Sequence, residues 1–348
     1  MASVPHESGP GESVRTQATV SGGFFSALLA FAVSLGADRD ALLARTGVRP
    51  VDFADQDARV PLAAYKALYR AGQAMTGEPA LALKFPEATR FEQMSIVGLI
   101  CQSADTMGGA LKQLNRFSRL VVEVDGVSDG PRFQLARRDG ELWLEDRCSN
   151  AEDFPELVEA ALGRFVCEMA RHYPDFAFVR AVHLTRSRPA HAAEYERILR
   201  APVTFGAAWN ALRIEEAWLA LEIHRPNRYA FGMFNGHADA LLKSLEATKT
   251  TRGRVEALLI PRLHTGELAM DDIAKALGLS RQTLYRRLRA EGASFDRVLN
   301  ALRHKMAETY LERLSVNETA YLVGFSETSA FSRAFKRWTG ASPRSRKT

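Results

Sequence analysis

Hydrophobic positions along the chain change their period twice. Between residues 24 and 120 they recur every three or four residues, as on one face of a helix. Phe24, Leu28, Phe31 and Leu35 predict a core helix. Leu62, Tyr65, Leu68 and Tyr69 predict another, started by Pro61. Leu111, Leu114 and Phe117 predict a third, capped by Thr106 and flanked by Lys112, Arg116 and Arg119. Gly47 is placed to end a short helix between the first two. After residue 120 short extended segments appear: 121–124, 132–136 and 141–145 read as strands, the last two joined as a hairpin through Arg138, Asp139 and Gly140. A helix over 152–172, a strand over 176–184, a helix over 189–199 and short strands at 203–205 and 212–214 follow. This irregular alternation predicts an α+β domain rather than a regular βαβ array. From Asn227 onward the pattern holds only helices and turns, which predicts a second, all-α domain.

A chain of 348 residues suits two domains. The expected division is a polar, Gly/Pro/Ser-rich flexible tail at 1–20, an α+β domain at 21–222, a linker at 223–250 and a helical domain at 251–348. Charge sharpens that division. The net +5 splits into 18 Lys+Arg against 10 Asp+Glu in the last 98 residues, and 28 against 31 before them. Such asymmetry points to a polyanion-binding module joined to something else. No uncharged apolar run reaches the ~18 residues of a membrane span. Gly36 and Ala37, after the apolar stretch 24–35, imitate a leader cleavage site. The long preceding segment carries Arg15 as its one cation, so a core helix is the better reading. Cys101, Cys148 and Cys167 are odd in number and lack CxxC pairing, which excludes a disulfide framework or zinc ribbon and favours a reducing cytoplasm.

The basic segment contains a repeat. IAKALGLSRQTLYRRLR at 273–289 returns as TAYLVGFSETSAFSRAFK at 319–336, with an offset of 46 that becomes 47 after one insertion. Ala274 matches Ala320, Gly278 matches Gly324, and Ser280 matches Ser326. Beyond the insertion Leu284, Arg286 and Leu288 match Phe331, Arg333 and Phe335. Each copy reads as a helix-turn-helix. The small alanine lets two helices cross, the glycine permits a positive φ, and the serine or its neighbour caps the second helix. Arg281, Gln282, Tyr285 and Arg286 in the first copy, and Thr328, Ser329, Ser332 and Arg333 in the second, then face outward. Arginine grips guanine, glutamine pairs with adenine, and serine or threonine serves either, so these eight are the candidate DNA-binding residues. Between the copies, apolar residues at 295, 299, 302, 306 and 310 predict a helix over 294–314. At ~1.5 Å per residue it spans roughly 30 Å, close to the ~34 Å between successive major-groove faces.

These residues carry a family resemblance. GFSETSAFSRAFKRWTGASP at 324–343, GLSRQTLYRRLRAEGASF upstream and the Arg303, Ala307, Leu311 spacing resemble the AraC/XylS family of bacterial transcription regulators. The resemblance covers about 95 residues. It implies two recognition helices in adjacent major grooves, with Gln282, Tyr285 and Arg286 base-facing in the first and Ser329, Ser332 and Arg333 in the second. Two positions depart from the family pattern. Ser345 precedes Arg346 where an aromatic residue is usual, and Thr319 replaces an aliphatic one, its hydroxyl expected to bond a carbonyl one turn earlier. More loosely, MSIVGLICQSADTMGGALKQLNRFSRL and AEYERILRAPVTFGAAWNALRIEEAWL resemble one of this family's sensor and dimerisation domains.

Catalytic patterns are missing: no HExxH, P-loop, GxGxxG or GxSxG occurs, and His172, His183 and His191 lack ligand spacing. Glu152 and Asp153 suit a helix N-terminus, and Arg147 beside Cys148 would favour its thiolate if the two met in space. The expectation is a sequence-specific regulator without metal or cofactor, acting on double-stranded DNA as a homodimer with RNA polymerase under a small-molecule effector. Two alternatives stay open: an enzyme domain fused to a DNA reader, marked by a cavity with paired ionisable groups, and a constitutive regulator, marked by a solid sensor domain.

Overall fold

The computed structural model describes residues 18–124, 130–148, 151–223, 228–266 and 268–346. The chain divides into two compact units between Leu242 and Lys243.

In the first unit β1 (Thr19–Ser21) leads into α1 (Gly22–Ser34), and α2 (Arg39–Thr46) and β2 (Arg59–Pro61) follow. Strands β1 and β2 pair antiparallel, so residues 19 and 20 belong to a sheet rather than to the expected tail. The rest of that tail, 1–17, lies outside the described residues. The buried face of α1 is Phe25, Leu28, Leu29 and Ala32, while Leu35 is exposed and Phe24 is half-buried. Asp38 caps α2 by accepting the Ala41 N–H at 2.7 Å, and Gly47 ends it with φ +67°. Helices α3 (Leu62–Thr76), α4 (Leu81–Ala88), α5 (Ile96–Ser103) and α6 (Met107–Val121) come next, with Thr106 capping the last as expected. No strand covers 121–124: α6 runs through Val121, and Val122 makes only an isolated bridge to Val20.

A five-stranded sheet is built from β3 (Phe133–Arg138), β4 (Glu141–Asp146), β5 (Val179–Leu184), β6 (Val203–Phe205) and β7 (Ala211–Ile214). Between them run α7 (Pro155–His172) and α8 (Ala192–Leu199). Strand order is β3-β4-β7-β5-β6, with β5 and β6 the parallel pair. Asp139 and Gly140 both have positive φ, +52° and +82°, which is the two-residue turn that matches strand twist. Helix α7 starts at Pro155, whose missing N–H costs nothing in a first turn. Tyr65, Leu68, Tyr69, Phe85 and Leu162 are fully enclosed in the core. Most of the segment expected as a linker is helix α9 (Arg228–Ala247).

The second unit holds α10 (Thr251–Leu259), α11 (Met270–Ala276), α12 (Arg281–Ala290), α13 (Phe295–Leu311), α14 (Val316–Leu322) and α15 (Thr328–Thr339). Leu259, Ile273, Leu284, Leu288, Phe331 and Phe335 form its centre. The Glu291 carboxylate accepts the N–H groups of Thr251 and Arg252 at 2.6 and 2.9 Å, tying the start of α10 to the end of α12.

Candidate nucleic-acid interface and ligand cavity

The first helix-turn-helix is α11 and α12. Ala274 is buried at the crossing, and Gly278 turns the chain with φ +66°. Ser280 caps α12 by accepting the Thr283 N–H at 3.1 Å. Leu284 and Leu288 point into the core, which leaves Arg281, Gln282, Tyr285 and Arg286 exposed together on the opposite side. Arg281 is held by Asp271 at 2.7 Å, an exposed ion pair that a phosphate can displace at little cost. Arg289, one turn further on, is also exposed and was not among the candidates.

The second is α14 and α15. Ser315 and Glu318 close a capping box at the start of α14, with bonds of 3.2 and 2.8 Å. Gly324 has φ +81°, and a Cβ there would stand 2.2 Å from the Leu263 carbonyl oxygen. Phe331 and Phe335 are fully buried, so Ser329 and Arg333 are exposed while Thr328 and Ser332 are half-buried on the outer side. Thr328 donates to Asn317 at 2.7 Å and Ser329 to Glu327 at 3.1 Å. The N-cap of α15 is Glu327, the neighbour of Ser326, and its side chain makes no capping bond. Lys336 and Arg337 extend the basic surface along α15. Thr319 departs from expectation: it is wholly buried, and its hydroxyl has no hydrogen-bond partner.

Helix α13 joins the two. Its 17 residues rise about 26 Å, somewhat less than the span anticipated from the apolar stripe. Arg303 on α13 lies 5.0 Å over the Phe325 ring and donates to the Gly324 carbonyl at 3.4 Å, anchoring α13 to the second turn.

The first unit holds a cavity of about 470 Å³, within the range of small-molecule sites. Its walls come from β1, α1, α3, α4, α5, α6, β3, α7 and the short turn Phe91–Gln93, and are mainly apolar, with Phe24, Phe91, Met107, Leu114, Leu157 and Phe165 among them. Phe24 lies here because the core face of α1 begins at Phe25. Arg164 and Glu168, one turn apart on α7, also line it. Glu168 accepts the Phe91 N–H at 3.1 Å and meets Arg164 at 3.4 Å, Arg171 at 3.0 Å and His172 at 3.5 Å. Paired ionisable groups are thus present, but Glu168 already accepts the Phe91 N–H, which ties α7 to the turn, and pairs with basic side chains of its own helix. Burial pushes the Cys101 thiol up to about 12, so at neutral pH it stays protonated and is no nucleophile. Burial likewise lifts Cys167 to about 11. Among the described residues no cluster of His, Cys, Asp or Glu could hold a metal ion. Among them, too, no helix is long and apolar enough to cross a membrane.

Residues 36–223 match the family described as the arabinose-binding domain of AraC transcription regulators, and 273–347 match a helix-turn-helix domain. The ornithine utilization regulator of Pseudomonas aeruginosa is 27% identical over 332 residues, 92% of this chain and 94% of its own. The transcriptional regulator VirS of Mycobacterium tuberculosis is 27% identical over 320 residues, 89% and 91% of the two chains. Among solved structures, the regulator CdpR from Pseudomonas aeruginosa aligns over 94% of this chain and 98% of its own, with TM-score 0.41 and 23% identity. The DNA-binding domain of AdpA, solved with a target DNA, covers 28% of this chain and 90% of its own, with TM-score 0.26 and 29% identity. These relatives are regulators, not enzymes. A repeated helix-turn-helix behind an arabinose-binding-type domain places this chain in the AraC family of DNA-binding transcription regulators.

Proposed function

We propose that this regulator is switched by a small effector held in the cavity of its first unit. In the same reading α12 and α15 enter successive major grooves of one operator. Gln282, Tyr285 and Arg286 meet bases in one groove, and Ser329, Ser332 and Arg333 in the next. Arg281 and Thr328, engaged with Asp271 and Asn317, serve phosphates and helix orientation. The protein works in the cytoplasm as a homodimer and touches RNA polymerase at its promoters, as the family resemblance implies.

The observation that carries the effector reading is the mainly apolar cavity itself. A constitutive regulator has no use for a mainly apolar cavity of ligand size in its sensor domain. An effector acts only through different affinities for two states of the protein. Screening small metabolites against the full chain by thermal shift, then measuring DNA affinity with each stabilising compound, tests this. At least one compound that raises the melting temperature should also change DNA affinity, and Ala161→Phe in the cavity wall should abolish both responses. If stabilising compounds leave DNA affinity unchanged, the effector reading is wrong.

A further inference from the structure

We propose that Glu327 is a further specificity-determining residue: its carboxylate accepts from the N4 amino group of a cytosine in the block read by α15. This rests on the reading that α15 lies in a major groove.

The two copies of the motif begin their second helices differently. Four residues before the buried anchors Leu284 and Phe331 stand Ser280 and Glu327, the N-caps of α12 and α15. Ser280 spends its side chain on its own helix, taking the Thr283 N–H at 3.1 Å. Glu327 makes no capping bond, so its carboxylate is not held by the backbone of α15. Its Oε2 instead accepts the Ser329 hydroxyl at 3.1 Å. Ser329 and Arg333 are both exposed and lie one turn apart on the same face of α15. The bond to Ser329 therefore sets the carboxylate at the head of that row. Thr328 is turned aside, its hydroxyl donating to Asn317 on α14 at 2.7 Å. Glu327 itself is exposed, and among the described residues no ion pair engages it.

A carboxylate in this place does not suit a helix that only grips the phosphate backbone. It accepts and never donates, and the phosphates carry the same sign of charge. Base edges in the major groove offer it two donors, cytosine N4 and adenine N6. Guanine N7 and O6 and thymine O4 are acceptors and repel it. Adenine sets its N7 acceptor beside the amino group, whereas cytosine presents the amino group alone. Cytosine is therefore the matching base. The same carboxylate also lies at the favourable end of the α15 dipole, but that effect acts on stability and not on the choice of base.

A duplex selected from random sequence by the full chain provides the test. Each position of the block that depends on Arg333 is changed to the other three bases, and the duplexes are compared by competition in fluorescence anisotropy. The native chain should favour cytosine at one position by at least about fivefold over guanine and thymine. Glu327→Ala should shrink that preference below about twofold and bind unrelated duplex DNA more tightly, since a charge of the phosphates' sign is gone. Glu327→Gln, nearly isosteric and so safe for the fold, should turn the preference to adenine, which an amide pairs at N6 and N7. A block without a cytosine preference overturns the proposal. So does a cytosine preference that survives both substitutions, even where Glu327→Ala melts at a lower temperature, because the carboxylate then serves only the helix end. Failure to find any block that depends on Arg333 overturns the placement of α15 in a groove, and the role of Glu327 with it.

Discussion

Thr319 and Gly324 lie five residues apart and show opposite relations between side chain and surroundings. The Thr319 hydroxyl is buried without a partner, so it carries a desolvation cost that no bond offsets. Thr319→Val, nearly isosteric, should raise stability by about 1 kcal/mol in chemical denaturation; a loss would mean that the hydroxyl is bonded after all. At 324 the backbone needs both a positive φ and room beside Leu263. Its counterpart Gly278 needs only the φ, since nothing stands within 4 Å of a Cβ there. Gly278→Ala should therefore cost about 1–2 kcal/mol, and Gly324→Ala roughly 3 kcal/mol or more. Equal costs would show that Leu263 yields freely. Both glycines were legible in the sequence as turn residues, because the repeat aligned them. That one is also hemmed in by a distant carbonyl was not, because a close approach across sixty residues leaves no periodic trace.

Elements with a strong local signal matched closely. The hairpin turn, β6 and the recognition helices fell near where turn chemistry and apolar spacing put them. The misses have physical causes. In 121–124 the β-branched residues favoured a strand, but α6 continued through Val121 because its apolar face was still packed. In α1 nearly every position is apolar, so the stripe could be drawn along more than one face, and the core selected Phe25, Leu28, Leu29 and Ala32. Capping differs between the two repeats as well. The second relies on the Ser315 and Glu318 box ahead of α14, while α15 starts at Glu327 without a side-chain cap. Ser315→Ala should cost about 1 kcal/mol of unfolding free energy; an effect within a few tenths would mean that tertiary packing alone holds α14.

Charge and duplication made the whole-molecule plan readable, since +8 in the last 98 residues coincides with the tandem motif. The cavity was not readable. Its walls come from six helices, two strands and the turns between them, scattered between residues 20 and 223, and no single segment carries its pattern. One trace did exist: Arg164 and Glu168 interrupt the apolar run of α7 one turn apart. The DNA reader remains the centre of the account, and selection of binding sites from random-sequence duplexes by the full chain tests it most directly. The enriched sequence should contain two blocks about ten base pairs apart, centre to centre. Arg286→Ala should erase one block and Arg333→Ala the other, each at a cost of roughly 1–3 kcal/mol. A single block, or variants that weaken binding equally on every sequence, would contradict two base-reading helices.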